Sequence, residues 1–113
     1  MVTMLPYEIK REALHLRRAV EAISVDIWVT SSGLPRTQVS TGVVETRLLL
    51  LVSKADDHLR LEAFRVARQA ARVYSETSDV LHGRTRASRF QSVHLEEWKA
   101  DYARLEALWT ILR

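Results

Sequence analysis

Across its 113 residues the chain contains only 3 Gly and 2 Pro. These two residues interrupt helices most reliably, so their scarcity points to long helices separated by few stops. The apolar residues repeat with the matching period. Between Pro6 and Trp28, the residues Ile9, Ala13, Leu16, Val20, Ile23 and Ile27 recur at alternating spacings of four and three, which draws one stripe along a helix. Pro6 suits a first turn, where its missing N–H costs nothing. Lys10, Arg11, Arg17 and Arg18, interrupted by Glu8, Glu12 and Glu21, read as a solvated face. "TSSGLPR", residues 30–36, then supplies Gly33 and Pro35 as a stop.

Three further helices follow on the same logic. The second is expected over 41–55, capped near Ser40 or Thr41. Its core, "VVETRLLLLVSKA", is apolar nearly all round, so it should be the most buried of the set. The third is expected over 57–82, starting at Asp56 or Asp57, whose charge suits a helix N-terminus, and stopped by Gly83 in a left-handed position. The fourth is expected over 93–112, with Leu95, Trp98, Tyr102, Leu105, Trp109 and Leu112 on its apolar face. Four such stripes cover one another most economically as a single all-α domain, a four-helix, largely antiparallel bundle. Leu48, Leu51, Phe64, Ala71, Leu105 and Trp109 are its expected core. A two-helix hairpin that completes its core by pairing with another copy is the alternative.

Composition narrows the chemistry. With 47% hydrophobic and 27% charged residues the chain is too apolar for disorder. It has no Cys, which removes disulfides, Cys-based zinc sites and thiol nucleophiles, and it fits a reducing compartment. Charges appear by residue 8, and the longest pure apolar run is "LLLLV", residues 48–52. The expectation is a cytoplasmic protein with no membrane partner. His15, His58, His82 and His94 show no helical ligand spacing, so no metal is expected, and no phosphate-loop or nucleotide motif calls for a cofactor. The net charge of +3 permits a polyanion partner without demanding one. Three Trp and an all-apolar second helix suggest more apolar surface than one bundle covers, hence a homodimer or a hetero-partner.

One segment departs from ordinary helix filler: "YSETSDVLHGRTRASR", residues 74–89. Tyr74, Ser78 and His82 are each four apart, so they stack along one side of the third helix, within its apolar sector beside Phe64 and Ala71. Arg84, Arg86 and Arg89 follow in a loop, and His94 opens the fourth helix on its apolar side. Two inward-facing imidazoles would then bracket an arginine-rich loop. Imidazole moves protons near neutral pH, and arginine forks onto phosphate oxygens. That pairing suits metal-independent phosphodiester chemistry, with Arg84, Arg86 and Arg89 as anion contacts. A purely structural stripe is equally compatible with these residue types: serine bonds back to the preceding turn, and tyrosine packs with its tip polar.

Tyr74, Ser78, His82 and Gly83 resemble the Tyr–Ser–His–Gly helix end found in several branches of the HEPN superfamily, small helical bundles of bacterial toxin–antitoxin, abortive-infection and CRISPR-associated proteins. The resemblance covers residues 43–112 as helical order. It implies a dimeric bundle and, in active members, a metal-independent endoribonuclease in which an Arg and a His from both subunits share one cleft. The Arg would stabilise charge on the phosphate, and the His would handle the proton. Active members place that Arg one to two helical turns upstream of the His. Here nine residues separate Arg72 from His82, while four separate Arg89 from His94. Either Arg89 and His94 form the catalytic pair, or the chain is a non-catalytic or weakly catalytic member acting through protein or RNA contacts; the second is the reading taken. An unrelated helical scaffold, or a small subunit of a nucleoprotein assembly, is the remaining alternative.

Overall fold

A computed structural model describes residues 6–36, 43–83 and 92–113. Four α-helices build a largely antiparallel bundle: α1 (Pro6–Ser32), α2 (Val44–Lys54), α3 (Arg60–Leu81) and α4 (Ser92–Leu112). No strand occurs among the described residues. The molecule is 42 Å along its longest axis, about the length of α1, whose 27 residues span roughly 40 Å at the α-helical rise.

The apolar stripe of α1 packs as its spacing requires. Ile9, Ala13, Leu16, Val20 and Ile27 are all buried. The helix runs one turn beyond Trp28, because "VTSS" offers no breaker before Gly33. Gly33, at φ +73°, then ends it, its N–H donating to Val29 O at 2.9 Å. Gly83, at φ +72°, does the same for α3.

The centre of the bundle lies on α3, not on α2 as the sequence suggested. α3 packs against all three other helices, whereas α2 touches mainly α1 and α3. The outward half of α2 therefore stays open, with Leu49 exposed, while Arg47, Leu48 and Leu51 turn inward. The buried Arg47 donates from Nε to Ser24 Oγ at 3.1 Å, and Ser24 donates to Glu21 O at 2.7 Å. Val43 occupies the position before α2 with no side-chain cap; the expected caps Ser40 and Thr41 lie outside the described residues.

A single 3-10 turn, Asp57–Leu59, precedes α3, so the acidic pair opens that turn rather than the α-helix itself. Asp56 O accepts from Leu59 N at 2.8 Å, and Asp57 pairs with Arg60 at 3.1 Å. Of the expected core, Leu48, Leu51, Leu105 and Trp109 are buried, and Ala71 is half-buried. Phe64 is instead 43% exposed. It lies at the edge of the apolar sector of α3, with Arg68 across its ring. Trp98 and Trp109 fill the core of this one chain.

Asp101 ties α4 to α3. It is 5% exposed, and its two carboxylate oxygens accept separately from Arg72 at 3.2 Å and Arg104 at 2.8 Å. No described helix is long and apolar enough to cross a membrane.

Candidate functional site

The polar stripe of α3 does form, and it acquires a partner from another helix. Thr77 bonds back to Val73 O at 2.7 Å, the local arrangement that lets a hydroxyl sit inside a helix. Ser78 takes a different role. Its hydroxyl accepts from Arg17 Nε at 3.0 Å, and the neighbouring Nη2 of Arg17 donates to the Tyr74 hydroxyl at 3.2 Å. The same guanidinium lies 5.1 Å from the centroid of the Tyr74 ring. Tyr74 and Ser78, one turn apart on α3, thus hold an arginine of α1. Two neutral oxygens and an aromatic face meet the charge, with no ion pair to a carboxylate among the described residues. Two of its five N–H groups are engaged in these bonds.

His82 closes the stripe, though not as an inward-facing core residue. It is exposed at the end of α3. Its Nδ1 lies 2.7 Å from Ser78 O, a carbonyl that can only accept, so Nδ1 carries the proton. In neutral His82 the lone pair is then on Nε2. The chain leaves the helix at this residue, and Ser78 O accepts both the His82 backbone N–H, at 2.9 Å, and the ring N–H.

These residues line a groove between α2 and α3. Arg17, Tyr74, Ser78 and His82 border one chamber of about 420 Å³. A second chamber of about 430 Å³ is bordered by Arg68, Gln69 and Arg72. Glu45, Ala71 and Ser75 line both, so the two chambers adjoin along α3. Ala71 and Ser75, four apart on α3, are small enough to leave the floor of the groove open. Arg68 lies 5.8 Å from the centroid of Phe64, and Arg72 is held by Asp101 and Glu76, at 3.2 and 3.4 Å. Glu45 and Asp79 add negative charge to the walls.

His94 is half-buried on α4 and does not border this groove. The two histidines therefore do not share the groove. Arg84, Arg86 and Arg89 lie outside the described residues, and so does the arginine of the Arg89–His94 pair. Among the described residues, no group of three or more metal-ligating side chains comes together.

Arg17 is the residue that sequence reasoning assigned to solvent. At about 100° per residue it lies beside Ser24 and Ala13, on the flank of the α1 stripe. That flank position was the available signal. What selects Arg17 over Arg11 or Arg18 is the pair of hydroxyls on another helix, which periodicity within α1 cannot reveal. Comparison with protein-family models, curated proteins and solved structures finds no match for this chain.

Proposed function

We propose that this chain is a HEPN-like helical bundle that acts by binding RNA, without cleaving it or cleaving it only weakly, as a module of a bacterial defence, toxin–antitoxin or mobile-element system. The observation that carries this reading is Arg17, fixed by Tyr74 and Ser78 with no ion pair to a carboxylate among the described residues. A guanidinium held in place loses less freedom on binding a phosphate, and its remaining N–H groups can fork onto phosphate oxygens. Arg68 extends the cationic track, Arg72 borders it with its charge partly offset by Asp101 and Glu76, and Arg84, Arg86 and Arg89 follow the end of α3 in sequence. Homodimerisation, or a protein partner, belongs to the same proposal.

Fluorescence anisotropy of single-stranded RNA at several salt concentrations tests it. Wild type should bind with a salt slope that reflects several phosphate contacts, and Arg17→Ala should lower that slope by roughly 0.7. Arg17→Lys keeps the charge and loses the fork, so it should fall between the two. A protein that binds no RNA, and in which Arg17→Ala only lowers the melting temperature, would be a helical scaffold with a structural α1–α3 tie.

The tautomer of His82 favours one second reading, a metal-independent ribonuclease. There the Nε2 lone pair would take the proton of an attacking 2′-hydroxyl while Arg17 stabilises the charged phosphate. Cleavage that persists in chelator, is lost in His82→Ala and leaves RNA binding intact would establish it.

A further inference from the structure

The groove carries one feature that phosphate binding alone does not use. Glu45 stands where its two chambers meet, between the Arg68–Arg72 end and the Arg17–His82 end. It is exposed and forms no ion pair among the described residues, although arginines border both chambers. A carboxylate on a cationic track weakens the attraction for every phosphate nearby. In the first turn of α2 it also favours the helix dipole, but that role needs no place in a groove.

We propose that Glu45 reads a base, and that the base is guanine in a single strand laid along α3. This rests on the RNA-binding reading of the same groove. From Arg72 to His82 the helix advances roughly 15 Å, room for about four stacked nucleotides at ~3.4 Å each. A strand with its phosphates on the arginines of both ends brings a base to the middle, where Glu45 stands. Single-stranded RNA exposes the Watson–Crick edges that a duplex hides. Of the four edges, only that of guanine presents two adjacent donors, N1–H and N2–H, which match the two oxygens of a carboxylate. Cytosine and adenine pair their amino group with an acceptor nitrogen, and uracil flanks its N–H with carbonyls; each of these puts a lone pair against the carboxylate. The carboxylate thus gains two hydrogen bonds from guanine and at most one, beside a repelling lone pair, from each of the other three, which gives a repulsive element as well as an attractive one.

The test uses labelled short oligoadenylates, unmodified or with one central guanosine or uridine, against wild type, Glu45→Ala and Arg17→Ala. Wild type should bind the guanosine strand about tenfold more tightly than the others, the lower end of what one bidentate base contact provides. Glu45→Ala should change the strands in opposite directions: guanosine binding weakens, while oligoadenylate binding strengthens because a repelling charge is gone. Arg17→Ala should weaken all three strands and keep the guanosine preference. The melting temperature of Glu45→Ala should stay within a few degrees of wild type, which separates base reading from stabilisation of α2. Equal binding of all strands by wild type, or a guanosine preference that survives Glu45→Ala, overturns the inference and leaves RNA binding standing. No binding of any strand overturns both.

Discussion

The guanidinium of Arg17 both stacks against the ring of Tyr74, 5.1 Å from its centroid, and donates to the hydroxyl of that ring at 3.2 Å. One cation thereby uses both the apolar face and the polar tip of a single tyrosine. Tyr74→Phe removes the hydroxyl and keeps the face. It should cost about 1 kcal/mol in chemical denaturation, the usual net worth of one hydrogen bond. Tyr74→Ala removes both and should cost clearly more. Equal losses in the two variants would show that the hydroxyl carries the whole contact.

Leu51 is fully buried on α2, whereas Phe64 on α3 is 43% exposed. Leu51→Ala should cost roughly 2–5 kcal/mol, as buried leucines do. Phe64→Ala should stay within about 0.5 kcal/mol, as surface changes do. Urea titrations of both variants check the ranking; a larger loss at Phe64 would mean that another surface covers it.

Much of this was legible in the sequence, and the failures have physical causes. The period of Ile9 to Ile27 and the stop at Gly33 are local properties, so α1 could be read from its own residues. Tyr74, Ser78 and His82 could be placed on one side of α3 for the same reason. Phe64 could not be assigned correctly, because a residue at the edge of an apolar sector is buried or exposed by tertiary packing that the period of α3 does not contain. Arg17 had the same difficulty: only the tertiary contact distinguishes it from its solvated neighbours on α1.

Asp101 is a buried carboxylate that accepts from two arginines, each more than half exposed. Water screens those partners, so Asp101→Asn should cost only about 1–2 kcal/mol. It should also release Arg72, which borders the groove, from α4, leaving Glu76 as its ion-pair partner, and change RNA affinity through that residue. Loss of stability with no change in affinity would remove Arg72 from the binding surface.

Tyr102 has its pKa raised above the usual 10.0, first by burial, then by the charge of Glu106 and by their hydrogen bond. The folded state therefore holds this proton more tightly than the unfolded chain. The resulting stability is fully present below about pH 10, the unfolded value, and is lost as pH rises through the higher folded value. Tyr102→Phe should flatten that alkaline loss, and in a phenolate absorbance titration it should remove a late-ionising tyrosine. An unchanged titration end would contradict the shift.

If the open half of α2 is covered by a second copy, sedimentation should give a dimer at micromolar concentrations, and Leu49→Arg should dissociate it. A wild-type monomer at high micromolar concentration excludes self-association through that face.

Arg17 and Ser78 are 61 residues apart in the chain. During synthesis Arg17 leaves the ribosome early, but Tyr74, Ser78 and His82 follow only after α2 and most of α3. The groove cannot exist before then. A nascent chain that has not yet exposed the end of α3 therefore lacks the assembled groove, and the Arg17 contact forms only when α3 closes on α1.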